Sequence, residues 1–220
     1  MGFLKKFTKQ EISWMMYDWA NSAHSVIVVT ILPIFFDTVA GYTADSVSSM
    51  STWGFATSLA MAIVALSAPF LGVFGDIRGM RKKLFTAFLA LGIVSVAGLS
   101  FTPLMDFTSS PAAAGKVAAM VLVLYILSTI GFDASCIYYD AFLTDVTTED
   151  RMDSVSTLGY GLGYIGGSTI PLLIFLIMNA VGVPMLTCLA FIFGLTAVWW
   201  LVFSLPLLKN CEQTTGKPYE

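Results

Sequence analysis

Charged side chains are scarce in this sequence. They make up 11% of its 220 residues, where soluble domains carry about 25%. A chain that is 57% hydrophobic has too little polar surface to enclose a soluble core, which argues against a cytosolic enzyme. Basic residues are no more plentiful. Eleven Lys and Arg stand against fourteen Asp and Glu, for a net charge of −3, so no basic face awaits nucleic acid. Histidine occurs once, at His24. A hydrolase in which His activates a nucleophile thus has a single candidate base, and Gly166-Gly167-Ser168 lacks the surrounding nucleophile pattern. The three cysteines, Cys136, Cys188 and Cys211, are an odd number, which argues against a disulfide framework. No grouping of His, Cys and carboxylate has metal-ligand spacing. Neither a metal nor an organic cofactor is expected.

Long apolar runs are abundant. About 20 apolar residues cross a bilayer at ~1.5 Å rise per residue. Six runs qualify, over about residues 12–39, 53–75, 84–105, 117–144, 154–181 and 184–208, and they leave 209–220 as a polar tail at the start of a central loop. The expected fold class is an all-α integral membrane protein of six transmembrane helices, with the lipid bilayer as its first partner. Lys5, Lys6 and Lys9 precede the first run as in a signal peptide. Glu11, Asp18, Asn21 and His24 interrupt the approach and no A-x-A cleavage site follows, so the run reads as a crossing. Lys5, Lys6, Lys9, Arg78, Arg81, Lys82, Lys83, Arg151, Lys209 and Lys217 then fall on one side of the membrane and only Lys116 on the other. The opposite loops carry Asp37, Asp45 and Asp106. The positive-inside rule places both termini in the cytoplasm, in a multi-pass protein of the cell membrane.

The spans differ in chemistry. The first carries Asp18, Asn21, Ser22, His24 and Ser25, with Trp14, Asp18, Asn21 and Ser25 on one helical face. The fourth carries Thr129, Asp133, Cys136, Asp140 and Thr144 at spacings that make a second polar stripe. A charge in mid-span costs about 2.5–3.5 kcal/mol on insertion scales and faces a bundle interior or a water-filled cavity. The first and fourth spans are therefore expected to line a cavity. Spans three and six hold no charge and suit lipid contact. Span five places Gly159, Gly163, Gly167 and Pro171 at every fourth position, a nearly bare face on which another helix can pack closely. That other helix is expected in a second half of the assembly. The order polar, small, apolar occurs twice, which reads as two inverted three-helix repeats.

Each motif has a bland alternative. Gly161-Leu162-Gly163-Tyr164-Ile165-Gly166 matches a dinucleotide fingerprint by letter, but that site needs a preceding strand and a βαβ unit. Helix packing is the better reading. The Tyr17-Asp18 and Tyr139-Asp140 pairs suggest an intramembrane aspartyl protease, yet the G-x-G-D that such an enzyme needs is absent. The loop Gly72-Val73-Phe74-Gly75-Asp76-Ile77-Arg78-Gly79-Met80-Arg81-Lys82-Lys83 exceeds what a cytoplasmic anchor requires. Charge alone would satisfy an anchor, whereas this loop fixes glycines and an aspartate at set intervals, with Arg78 or Arg81 as partners for Asp76 and the glycines expected to end span two in a tight turn.

That loop resembles the signature between the second and third helices of the major facilitator superfamily. The signature's glycines fall on Gly72 and Gly79, its aspartate on Asp76 and later basic positions on Arg81 and Lys82, while Ile77 and Met80 occupy usually basic positions. Tyr17-Asp18-Trp19-Ala20-Asn21-Ser22-Ala23 resembles the first helix of the autophagy-type vacuolar amino-acid effluxers and their bacterial relatives, and Tyr139–Thr147 with Gly159–Gly167 resembles their fourth and fifth helices. His24 departs from the aromatic residue expected there. The resemblance implies the N-terminal half of a twelve-helix transporter working by alternating access. It implies a small organic solute, amino acids foremost, and allows proton coupling. Asp18 and Asp133 become candidates for solute contact or proton carriage, with Asn21, Ser22, His24 and Ser25 as polar support and Thr129, Cys136 and Asp140 along the same pathway. His24 could titrate near neutral pH or act as a hydrogen-bonded interhelical residue. The second half would be a separate chain, a C-terminal half or a second copy. The alternative is a non-transporting six-span protein that acts as a binding or assembly partner.

Overall fold

The computed structural model describes residues 6–43 and 49–218. Lys5 and Asp45, which enter the charge asymmetry, lie outside the described residues. Six helices are long and apolar enough to cross a membrane: α1 Lys9–Ala40, α2 Ser49–Gly75, α3 Arg81–Leu104, α4 Pro111–Val146, α5 Glu149–Ala180 and α6 Met185–Asn210. The shortest has 24 residues, about 36 Å at ~1.5 Å per residue, which exceeds a ~30 Å hydrocarbon core. Among the described residues there are no strands, only one isolated bridge between Ile77 and Lys217.

Local chemistry sets the helix ends. Thr8 and Glu11 form a reciprocal capping box at the start of α1, which satisfies two otherwise orphaned N–H groups. Ser110 caps α4, and Pro111 occupies its first turn, where a missing N–H costs nothing. The helical path of α1 is interrupted at Ile31. Pro33 has no N–H for the carbonyl of Val29, so the ladder breaks one turn below it. Gly79 turns the chain between α2 and α3 at φ +82°, a region that favours glycine. Gly72, by contrast, lies inside α2 with open space where a Cβ would project. The turn belongs to Gly79 alone.

Neighbour relations show the internal repeat. α4 lies against α2 and α3, whereas α1 lies against α5 and α6; α1 also meets α4, and α3 meets α6. Exchanging helices one, two and three for four, five and six returns the same set of contacts. With three crossings per unit the second unit runs inverted, the arrangement of half a major-facilitator fold. A close approach joins α3 and α4, where a Cβ on Gly131 would fall 2.4 Å from the Gly92 nitrogen.

The core runs along α1 and α4. Trp14, Tyr17, Ile27, Leu32 and Phe35 of α1 are buried, as are Val121, Tyr138 and Phe142 of α4. The helices that carry the two charge-free spans do not simply face lipid. α6 buries Ile192, Phe193, Trp200 and Leu207, and α3 buries Phe85, Leu89 and Val96. The most exposed helix is α2, with Phe55, Leu66, Phe70 and Val73 on the surface. Hydropathy does not separate these cases, because lipid tails and a protein interior are equally apolar.

After α6 the chain returns as a strap across the ends of α2, α3 and α4. The Gln213 side chain accepts from the N–H groups of Gly79 and Arg81 and donates to the Gly75 carbonyl. Asp145 Oδ1 accepts from the backbone and hydroxyl groups of both Thr214 and Thr215 at 2.8–3.0 Å. Arg78 and Lys217 complete the attachment through backbone bonds. Cys211 lies buried at its root, and burial pushes its thiol up to about 12.

Candidate functional site

A cleft of about 570 Å³ opens between α1, α4 and α5. Asp18, Asn21, Ser22, Ser25 and Val26 line it from α1, and Phe132, Cys136, Tyr139 and Asp140 from α4. α5 contributes Tyr160, Tyr164, Ser168 and Thr169. The two polar stripes thus meet across one space, and a third helix closes it.

Glycine lets α5 come this close. A Cβ on Gly159 would sit 3.0 Å from Asp18 Oδ2, one on Gly163 2.7 Å from Ser22 Oγ, and one on Gly167 2.4 Å from the Trp19 carbonyl oxygen. Pro171 continues the same buried face. The helix on this face is therefore α1 of the same chain, and the expectation of a partner from another half is corrected. A bare helix face announces close packing without saying which helix packs there. Gly163–Ser168 forms a π-helical turn. Its wider winding fits the Trp19 ring, which would lie 1.9 Å from a Cβ on Gly166. π-Turns frequently mark functional positions in helices.

Buried contacts hold the wall rigid. Trp14 Nε1 donates to the Tyr139 carbonyl at 2.9 Å, and the two rings stack with centroids 4.3 Å apart. The Tyr17 and Ser135 hydroxyls are 2.7 Å apart. Tyr139 is consequently fixed at the cleft wall, and its own hydroxyl is buried facing the Asp18 carboxylate without forming a hydrogen bond of good geometry. Asn21 Nδ2 reaches Cys136 Sγ at 3.8 Å, a long contact to a weak acceptor.

Three residues expected on the pathway stand off the lining. Thr129 lies one turn beyond Phe132, which belongs to the cleft wall. Asp133 is half-buried, with Oδ2 enclosed and unpartnered, and lies within electrostatic reach of Cys136. His24 is buried, stacked on Phe132 at 4.7 Å and tilted against Trp200 at 5.0 Å, and neither ring nitrogen has a hydrogen-bond partner. The expectation of a hydrogen-bonded histidine is corrected, since its ring serves as an aromatic plate next to the cleft.

The loop between α2 and α3 is built around Arg81. Its guanidinium is buried, donates to the Ala141 carbonyl at 3.0 Å and pairs closely with Asp145, while Asp76 stands 3.7 Å away and is 69% exposed. Arg78 is exposed and Lys82 half-buried, and neither pairs with Asp76 among the described residues. The principal partner, Asp145, was not foreseen from sequence, and neither was the ion pair of Glu11 with Arg151. Glu11 is buried and accepts from Arg151 Nε and Nη2 at 2.8 Å each, from the Thr147 hydroxyl and from the Thr8 backbone. The network ties the start of α1 to the α4–α5 connection. Its only sequence signal is the capping-box spacing of Thr8 and Glu11.

The model of the vacuole effluxer Atg22-like family matches residues 42–151. The chain belongs to this family. The match covers α2, α3, α4 and the loop around Arg81, while the α1 and α5 sides of the cleft lie outside it. A curated relative, the uncharacterized MFS-type transporter YxiO of Bacillus subtilis (strain 168), is 38% identical over 218 residues, covering 96% of this chain. That alignment takes in all six helices of this Atg22-like chain. The chain spans about half the length of the relative, 48% of it. No solved structure matches the chain.

Proposed function

We propose that this chain forms one half of a secondary active transporter that moves a small organic solute, amino acids foremost, by alternating access. The observation that carries the reading is the cleft. A bundle whose outer faces are apolar keeps two carboxylates, an amide and the hydroxyls of Ser22, Ser25, Ser168 and Thr169 on a space of about 570 Å³, and intramembrane polar residues in such a setting mark solute or ion pathways. Asp18, Asn21, Ser22, Ser25, Cys136 and Asp140 are the proposed solute contacts. Asp133, half-buried and within electrostatic reach of Cys136, is the proposed proton carrier, with His24 and Thr129 as structural neighbours. The α2–α3 loop, with Gly72, Asp76, Arg78, Gly79, Arg81 and Lys82, is proposed as a conformational latch.

The second six-helix half is proposed to cover the exposed face of α2 and the outer face of α5, as a separate chain, a C-terminal half or a second copy. A curated relative of about twice the length supports this. The cell membrane is the proposed location, with both termini cytoplasmic, on the support of the basic-residue asymmetry. Uptake by the full-length transporter in proteoliposomes, with and without an imposed pH gradient, tests the reading. Gradient-dependent accumulation of an amino acid or related small solute is expected, and folded protein that moves no such solute would contradict it.

A further inference from the structure

The cleft between α1, α4 and α5 carries charge of one sign. Asp18 and Asp140 line it, and Asp133 joins both within electrostatic reach of the Cys136 thiol. No lining residue is Lys or Arg. Two of the less exposed cations are committed elsewhere, Arg81 to Asp145 and Arg151 to Glu11. Carboxylates in a low-dielectric setting need a compensating proton or cation.

The walls say which cation fits. Tyr160 and Tyr164 present exposed rings 4.8 Å apart, their hydroxyls joined at 3.1 Å. Aromatic faces attract organic cations. Tyr139 is only 3% exposed, and its hydroxyl, in no well-formed hydrogen bond, faces the Asp18 carboxylate at the cleft wall with acceptor capacity to spare. Among the described residues no group of three His, Cys, Asp or Glu could hold a metal ion. The space accommodates a small organic molecule, and Phe132 and Val26 supply an apolar patch for its carbon skeleton. Nothing on these walls offers positive charge to an anion.

We infer that the cleft is an ammonium-binding subsite, which holds the primary ammonium group of a solute between Asp18 and Asp140, against the Tyr139 hydroxyl and the Tyr160 and Tyr164 rings. Ammonium N–H groups donate to the carboxylates in charge-assisted hydrogen bonds. The solute's remaining polar groups would be met outside this cleft. The inference deepens the transport reading and rests on it for the word solute; binding itself is measurable without transport.

The test is thermal unfolding of the full-length protein in lipid nanodiscs with n-butylammonium chloride, sodium butyrate, n-butanol and sodium chloride at matched ionic strength. Butylammonium is expected to raise the melting temperature saturably, and the other three to leave it unchanged. Asp140→Asn, at an exposed position, should weaken butylammonium binding at least threefold, and the double variant Asp18→Asn/Asp140→Asn at least tenfold. Equal stabilisation by butyrate, butanol or sodium chloride would overturn the inference. So would undiminished binding by the variants, or no stabilisation by butylammonium at all. Butylammonium binding without uptake of any solute would sink the transport reading and leave the subsite standing. Uptake only of solutes that lack an ammonium group would do the reverse.

Discussion

Replacing Gly167 by alanine should disrupt the contact of α5 with α1, and the size of the effect follows from one distance. A Cβ at that position would lie 2.4 Å from the Trp19 carbonyl oxygen and 2.9 Å from Ser22 Cβ. Close carbon–oxygen contacts in proteins sit near 3.3–3.6 Å, so the backbones must part by about 1 Å. Backbone cannot rotate aside as a flexible side chain can. Overpacking of this kind costs about 1–3 kcal/mol. Gly161 supplies an internal control, because it lies on the same helix with open space where a Cβ would project. There alanine should gain about 0.5–1 kcal/mol, since glycine is a poor helix former. The two variants should therefore differ by about 1.5–4 kcal/mol, or roughly 3–16 °C in melting temperature at ~2–4 °C per kcal/mol for a domain of this size. Differential scanning fluorimetry in nanodiscs reads the gap directly. Gly163→Leu, which brings a larger side chain against Ser22 and Asp18, should lose folded protein or transport while still inserting. Equal melting temperatures for Gly167→Ala and Gly161→Ala would refute the close approach of the two helices.

Four further outcomes are expected. Asp145→Asn leaves the buried Arg81 guanidinium without its charged partner and should destabilise the fold by about 3–5 kcal/mol, measured by the same unfolding assay. Asp76→Asn breaks a 3.7 Å pair whose aspartate is largely solvent-exposed, worth ~0–1 kcal/mol, so it should slow turnover in an uptake assay with little change in solute affinity. Cys211, buried and with its thiol raised to about 12, stays protonated until strongly alkaline pH and should react slowly with N-ethylmaleimide at pH 7; Thr214→Ala/Thr215→Ala, which removes two of the hydroxyl bonds to Asp145, should accelerate that labelling by loosening the strap. Asp133→Asn should abolish gradient-driven uptake and spare solute exchange in proteoliposomes, whereas retained gradient-driven uptake would make Asp133 structural.

Periodicity made the helices and the two polar stripes legible, because apolar runs of membrane length and side chains at i, i+4, i+7 and i+11 follow from helix geometry alone. The third wall of the cleft was not legible. Tyr160 and Tyr164 sit in a run read only for its glycines, and nothing local shows which helix meets that face. The order of the carboxylates was also hidden. Asp133 and Asp140 are seven residues apart, and that step drifts by ~20° on a straight helix, enough to turn Asp133 off the lining while Asp140 stays on it. The buried ion pairs escaped for a different reason. Glu11 and Arg151 are separated by 140 positions, and Arg81 and Asp145 by 64, so only the tertiary arrangement brings them together. His24 shows the limit of residue chemistry as a guide, since a titratable side chain serves here as a stacking surface.

The central claim is that one polar cleft on this chain opens to each side of the membrane in turn. Ser25 lines that cleft, so a Ser25→Cys variant in a background lacking Cys136 reports its accessibility. Labelling by a membrane-impermeant maleimide, applied separately to the two faces of oriented vesicles of the full-length transporter, is the direct measurement. The account predicts labelling from both faces during solute exchange and protection by bound solute. Labelling confined to one face under every condition, or unaffected by any transported solute, would contradict it.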